Sequence, residues 1–207
     1  MDVSYLIGLF ATVTFSVTGV LAARAHNMDL VGIIVVGVVT AVGGGTIRDM
    51  ILAVPVFWVA DANYLLAAVA AAVATFLARD RIQRRMQWLL YLDALGVAMF
   101  ASLAVVKSLD LGLGAAPALV MGVITGIGGG IIRDLLTGRP TLIMSRDLYA
   151  TPILFGVAVQ LLLLRMPGVD PALATVIGGA LIFGSRSAAV FFHWQMPDIL
   201  TLPGGDS

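Results

Sequence analysis

Seven long apolar stretches recur along this chain of 207 residues. They lie at about 5–23, 30–53, 63–78, 87–106, 116–137, 148–165 and 172–192. A run of about 20 apolar residues can cross the hydrocarbon core of a bilayer as an α-helix. Because polarity does not alternate within these runs, they favour a helical bundle over a β-barrel. The sequence therefore predicts an all-α membrane protein with seven transmembrane helices.

The composition excludes several classes of function. Charged residues make up 12% of the chain, whereas soluble domains carry about 25%, so a soluble enzyme is excluded. The 12 basic and 12 acidic residues cancel, and no basic surface indicates nucleic-acid binding. No nucleophile–base pair and no cluster of metal ligands is recognisable, so we expect neither an enzyme, nor a metal site, nor a cofactor.

The basic residues predict an orientation in the membrane. Four of the 12, namely Arg79, Arg81, Arg84 and Arg85, lie between the third and fourth spans. Cytoplasmic loops are enriched in Lys and Arg, which places this loop inside. Counting spans from there puts the N-terminus outside and the C-terminus in the cytoplasm, with Lys107 and Arg165 as the only basic residues at outer positions.

A motif occurs twice in the chain. Gly-Gly-Gly-Thr-Ile-Arg-Asp at 43–49 is followed 85 residues later by Gly-Gly-Gly-Ile-Ile-Arg-Asp at 128–134, and the same register matches Phe15 with Phe100. Because each copy has three spans, the second must insert in the opposite orientation, which predicts two inverted three-helix repeats plus a seventh helix. The predicted units are 1–86 with the basic loop, 87–167, and 168–207 with the seventh helix and tail. Inverted repeats place functional sites near the membrane midplane, between the repeats.

The glycine triplets need an explanation, because each glycine costs a helix about 1 kcal/mol relative to alanine. The triplets are Gly43, Gly44 and Gly45 in the second span and Gly128, Gly129 and Gly130 in the fifth. One interpretation is close packing between two helices. The other is a local break whose freed carbonyls face a water-filled cavity.

Each triplet is followed by a charged pair inside a span. A charge at a helix centre costs roughly 2.5–3.5 kcal/mol on insertion scales, so these pairs should face a polar interior. Adjacent side chains point about 100° apart on a helix. We therefore expect crossed pairs between the repeats, Arg48 with Asp134 and Arg133 with Asp49. In the alternative, each Arg snorkels or caps broken-helix carbonyls and each Asp lies near a half-helix N-terminus.

Other polar residues in the spans are further candidates. Asp93 either attracts cations or bonds a neighbouring helix. Lys107 either snorkels or modulates the outer mouth of a pore. Ser16, Thr40 and Thr125 provide hydroxyls, which line the pathway or bond their own backbone.

The seven spans, the two three-helix repeats and the doubled Gly-Gly-Gly-x-x-Arg-Asp motif resemble the prokaryotic trimeric intracellular cation channels. The resemblance implies a homotrimer in the inner membrane of a prokaryote, in contact with membrane lipids. It implies a pore within each protomer that conducts monovalent cations such as K⁺ and Na⁺. It also implies that the second and fifth helices bend at their glycines and, with both Arg-Asp pairs, line that pore.

Two other functions stay open from the sequence. Some bacterial relatives are described as glycine transporters, and an inverted repeat with broken helices suits a secondary transporter of a small amino acid. A scaffold without transport activity would use the buried Arg-Asp pairs only to hold its helices together.

Overall fold

The computed structural model describes residues 3–24, 28–78, 86–144 and 148–197. Within them, the regular structure is helical. The helices are α1 (Val3–Ala23), α2 (Leu30–Ile51), α3 (Phe57–Ala60), α4 (Asn63–Leu77), α5 (Met86–Asp110), α6 (Ala115–Leu136), a 3-10 turn (Leu142–Met144), α7 (Ala150–Leu164) and α8 (Pro171–Phe192). Seven of them, all except α3 and the 3-10 turn, coincide with the apolar stretches of the sequence.

Five of these helices, α1, α2, α5, α6 and α8, are long and apolar enough to cross a membrane. The helices α4 and α7 have 15 residues each, which corresponds to about 22 Å at 1.5 Å per residue. Both are shorter than the predicted stretches 63–78 and 148–165. The short elements α3 and the 3-10 turn follow α2 and α6 and had no counterpart in the sequence prediction.

Helix ends follow local chemistry. Asp29 caps α2 by accepting a hydrogen bond of 2.7 Å from the Gly32 N–H. Asp170 caps α8 by accepting one of 2.8 Å from the Ala172 N–H, and Pro171 occupies the first turn, where no N–H partner is needed. These caps begin α2 and α8 within one residue of the predicted starts.

Small residues and two aromatic rings form the centre of the bundle. Helix α5 packs against α1, α6 and α8, and α2 packs against α1, α4 and α6. Phe15 of α1 and Phe100 of α5 are buried and stack with ring centroids 5.7 Å apart and an interplanar angle of 18°. These two rings, equivalent in the repeat, therefore meet in the core.

The glycine triplets do not break their helices, so the local-break interpretation is wrong. Helices α2 and α6 run without interruption through both triplets. A Cβ atom at Gly129 would lie 2.6 Å from the carbonyl oxygen of Thr40, and one at Gly128 would lie 3.0 Å from the Cα of Gly44. A Cβ at Gly44 would likewise collide with the carbonyl oxygen of Thr125. The glycines thus let the two backbones approach, as small residues do at helix crossings in membranes.

Candidate functional site

One face of α5 connects the polar groups of the interior. Asp93, Gly96, Phe100, Leu103 and Lys107 follow one another at intervals of three or four residues, which places them on the same side of a helix. Fourteen residues correspond to about 21 Å along the helix axis. This face therefore carries an acid near one end, a ring in the middle and a base near the other end.

A first charge cluster, the Asp49 cluster, lies near the Lys107 end and contains Arg48, Asp49 and Lys107. Arg48 Nε and Lys107 Nζ each donate to Asp49 Oδ1 at 2.7 Å. The backbone N–H of Phe57 donates to Asp49 Oδ2 at 2.9 Å. Asp49 is 0% exposed. One carboxylate thus serves two cations, and the cluster has a formal surplus of one positive charge.

A cavity of about 360 Å³ lies next to this cluster; we call it the Lys107 cavity. It is lined by Ser4, Tyr5, Gly8, Arg48, Phe57, Tyr64, Phe100, Leu103, Val106, Lys107 and Asp110. The Arg48 guanidinium carbon lies 5.8 Å from the centroid of the Phe57 ring. The cavity therefore combines basic groups with aromatic walls.

A second charge cluster, the Asp93 cluster, contains Asp93, Arg133, Asp134 and Arg186. Asp93 accepts from Arg133 Nη1 at 2.7 Å and from Arg186 Nη2 at 2.9 Å, one bond on each carboxylate oxygen. Arg133 Nε also donates to Asp134 Oδ1 at 2.9 Å. All four side chains are buried, and their formal charges cancel. Of the two readings of Asp93, the bond to neighbouring helices is the one observed.

Sequence reasoning missed Arg186 as a member of this cluster and counted it only as a basic residue at the inner end of the last span. Its guanidinium carbon lies 4.0 Å from the centroid of the Tyr149 ring, and its Nη1 donates to the carbonyl of Tyr149 at 3.2 Å. The available signal was its position within the stretch 172–192, because a charge inside a span needs a partner.

The predicted crossed pairs, Arg48 with Asp134 and Arg133 with Asp49, are wrong. Each Asp instead binds the Arg that precedes it. At the helix crossing, Gly44 lies against Thr125 while Gly129 lies against Thr40, so α2 and α6 run in opposite directions. Each Arg-Asp pair follows its own glycines and therefore lies on the opposite side of the crossing from the other pair. The long Arg side chain overcomes the angle between neighbours by folding its Nε towards the next carboxylate.

The two aspartates of the motif have equivalent second partners. Asp49 Oδ2 accepts from the Phe57 N–H, and Asp134 Oδ2 accepts from the Leu142 N–H at 3.2 Å. In both copies the partner is eight residues further along. A hydrogen bond to a charged group contributes about 1.5–3 kcal/mol. Each Asp thus ties the segment after its helix back to the bundle, next to its Arg.

An aromatic layer lies between the two clusters. Phe15 stacks on Phe100, and the Phe57 ring meets Phe100 with centroids 6.3 Å apart. Phe100 stands between Asp93 and Lys107 on the shared face of α5. A small cavity of about 90 Å³, lined in part by Tyr149 and Arg186, lies beside the Asp93 cluster on the other side of the layer.

The predicted hydroxyls mainly satisfy backbone groups. Thr40 and Thr125 each donate to a carbonyl one turn earlier in their own helix at 2.6 Å. Ser16 donates to the carbonyl of Ala68 at 2.7 Å and so joins α1 to α4. Of the alternatives for the two threonines, bonding to their own backbone is the one observed.

Comparisons with known proteins agree with the doubled motif. A family model described as glycine transporter matches residues 5–80 and again 90–165. The two matches are displaced by 85 residues, the same register as the two motif copies. Together they cover most of the chain.

Curated relatives align along almost the whole chain. The UPF0126 membrane protein of Vibrio cholerae is 40% identical over 195 residues, which is 93% of this chain and 81% of that protein. The UPF0126 inner membrane protein YadS of Escherichia coli strain K12 is 39% identical over 195 residues, covering 93% of this chain and 94% of that protein. Like these relatives, the chain is a multi-pass membrane protein.

Solved structures share its fold. The trimeric intracellular cation channel orthologue from Rhodobacter sphaeroides superposes with a TM-score of 0.88 at 40% identity, covering 94% of this chain and 100% of that one. A second structure, from work on conductance through these cation channels, gives a TM-score of 0.84 at 29% identity, with 95% and 97% covered. The chain therefore belongs to the family that joins the UPF0126 membrane proteins to the prokaryotic trimeric intracellular cation channels, and whose model is described as a glycine transporter.

Proposed function

We propose that the protein is a channel for monovalent cations, K⁺ and Na⁺, with one pathway in each protomer of a homotrimer. The observation that carries this proposal is the likeness to the channel orthologue from Rhodobacter sphaeroides, which extends over 94% of the chain at 40% identity. A likeness of that extent includes the interior as well as the helix arrangement.

The proposed pathway follows the shared face of α5. It begins in the Lys107 cavity, passes the stacked rings of Phe15 and Phe100, and continues past the Asp93 cluster to the small cavity beside Arg186. The glycine segments of α2 and α6 flank the aromatic layer, because a Cβ at Gly129 would also lie 3.8 Å from the Phe15 ring. In this arrangement the rings close the pathway, and conduction requires them to separate.

The same proposal includes seven spans in two inverted repeats. The doubled family match supports the repeat, as do the equivalent bonds of Asp49 and Asp134 and the contact between Phe15 and Phe100. An antiparallel crossing of α2 and α6 agrees with opposite insertion of the two copies. The 15-residue helices α4 and α7 would then cross a thinner part of the bilayer, which costs fractions of a kcal/mol per Å of mismatch.

The orientation is tested by labelling the basic loop. Gln83 lies in this loop, outside the described residues. A cysteine at position 83 should resist an impermeant thiol reagent added to intact cells and should react after the cells are opened, because the loop is proposed to be cytoplasmic. A cysteine at exposed Asp110, at the opposite end of α5, is the matched position and should react in intact cells. The reverse pattern would invert the topology.

Replacing Lys107 should increase cation flux. Lys107→Gln removes the positive surplus of the Asp49 cluster, which opposes a cation about 6 Å away by roughly 3 kcal/mol at an effective dielectric constant of about 20. We expect K⁺ flux into proteoliposomes to rise about three- to tenfold. Lys107→Arg keeps the charge and should leave the flux near that of the original protein. Equal flux in both variants would remove Lys107 from the pathway.

A second candidate function is secondary transport of a small amino acid such as glycine. It is favoured by the description of the family model and by the presence of Arg48, Lys107 and Asp110 around one cavity, because a zwitterion needs charges of both signs. Glycine uptake driven by an ion gradient, together with the absence of K⁺ flux in a K⁺ gradient alone, would support this candidate against the channel.

A further inference from the structure

The Lys107 cavity has a charge that a cation pathway does not need. Its buried basic groups are Arg48 and Lys107, and both share a single oxygen of Asp49. We infer that this cavity binds a small organic carboxylate with an apolar body. The inference goes beyond cation conduction and does not depend on it.

The first step is the charge of the cavity wall. Asp49 is 0% exposed, and both of its oxygens are already bonded within the protein. It therefore holds its cations in place but offers nothing more to neutralise them. Asp110, the other acid of the lining, is exposed, where water and salt screen its charge. One positive charge remains at the cavity, available to an anion.

The second step is the burial of Arg48. This residue is only 5% exposed, yet it lines the cavity. A buried cation is stable only when it is paired and hydrogen-bonded. The guanidinium carries five donors in a planar fork, and its Nε is the donor that bonds Asp49. A planar fork suits a carboxylate, which it can bind through two parallel hydrogen bonds.

The third step is the shape and polarity of the remaining walls. The rings of Tyr5, Phe57, Tyr64 and Phe100 line the same cavity as the two cations. Its volume of about 360 Å³ falls in the range of about 300–1,000 Å³ typical of small-molecule sites. An inorganic anion would satisfy the charge but leave the rings in contact with water. A carboxylate attached to an apolar group satisfies both the cations and the aromatic surface.

The experiment compares three probes on the purified full-length protein. Benzoate supplies a carboxylate on a ring, benzamide is its neutral counterpart, and chloride is an inorganic anion. Binding is measured by calorimetric titration, and folding of each variant is checked by thermal melting. We expect saturable benzoate binding at least tenfold tighter than that of benzamide or chloride, because a charge-assisted bond is worth more than tenfold in affinity.

Variants locate the site. Lys107→Gln removes the surplus charge and should weaken benzoate binding about tenfold, whereas Lys107→Arg should stay within about threefold. Leu103→Trp fills the cavity without touching its charges and should abolish binding. Gly184→Ala is the control, because a Cβ there meets nothing within 4 Å, and it should bind benzoate normally.

Several results would overturn the assignment. Benzamide binding as tightly as benzoate would show that the charge plays no part. Chloride binding more tightly than benzoate would indicate a site for inorganic anions. Unchanged benzoate affinity in folded Lys107→Gln or Leu103→Trp protein would place the binding elsewhere. None of these results depends on K⁺ flux, so the inference can fail while the channel proposal holds.

Discussion

Replacing Asp93 with alanine is expected to cost about 3–5 kcal/mol in the free energy of unfolding, as the loss of one partner from a buried ion pair does. Asp93 is 0% exposed and accepts from Arg133 on one oxygen and from Arg186 on the other. Without it, two positive charges remain in the interior with only Asp134 to balance them. The matched control is Asp110→Ala on the same helix, whose exposed side chain should contribute less than about 0.5 kcal/mol.

A double substitution tests whether this loss has the stated cause. Arg186→Met in the Asp93→Ala background removes one of the unbalanced charges, so part of the lost stability should return. Losses that simply add would contradict coupling through the cluster. Arg48 and Asp134 lie in different clusters, so Arg48→Met and Asp134→Ala should be additive. Unfolding in detergent, followed by thermal melting and trimer recovery, measures all of these variants.

Valine in place of Gly129 is expected to loosen the bundle and sharply reduce the yield of folded protein. The added Cβ would lie 2.6 Å from the carbonyl oxygen of Thr40, and a backbone atom cannot move aside as a side chain does. Overpacking of a tight core costs about 1–3 kcal/mol, and more where the backbone must shift. Gly44→Val, on the other side of the same crossing, should behave alike.

The control for valine itself is Gly184→Val, because nothing lies within 4 Å of a Cβ at that position. It should fold with a melting temperature close to that of the original protein. Melting temperature and K⁺ flux are measured on the same preparations. Well-folded Gly129→Val protein with poor flux would show that the glycines act on permeation rather than on packing.

The sequence predicted which residues are equivalent better than it predicted which residues touch. The register of 85 residues matched Phe15 with Phe100, and these two rings stack. The same symmetry suggested crossed Arg-Asp pairs, which do not form. Whether equivalent groups meet depends on their distance from the helix crossing: the rings lie near it, whereas each charged pair lies beyond it on its own side.

Other parts of the site depended on tertiary contacts that no local pattern encodes. The hydrogen bond from the Phe57 N–H to Asp49 requires the chain to turn back after α2, and a short helix beginning at Phe57 has too few residues to produce a periodic signal. Arg186 was visible as a charge within a span, but its partner on α5 was not. Long apolar runs, by contrast, are a strong local signal, and seven long helices coincide with them.

Recording from single channels tests the central proposal most directly. The purified original protein is reconstituted into a planar bilayer with unequal KCl concentrations on its two sides and no amino acid. We expect discrete unitary currents whose reversal potential approaches the equilibrium potential of K⁺, because a passive cation pathway needs no coupled substrate. Bilayers that contain folded protein but stay electrically silent, while the same preparation accumulates glycine in liposomes, would contradict the channel and favour a carrier.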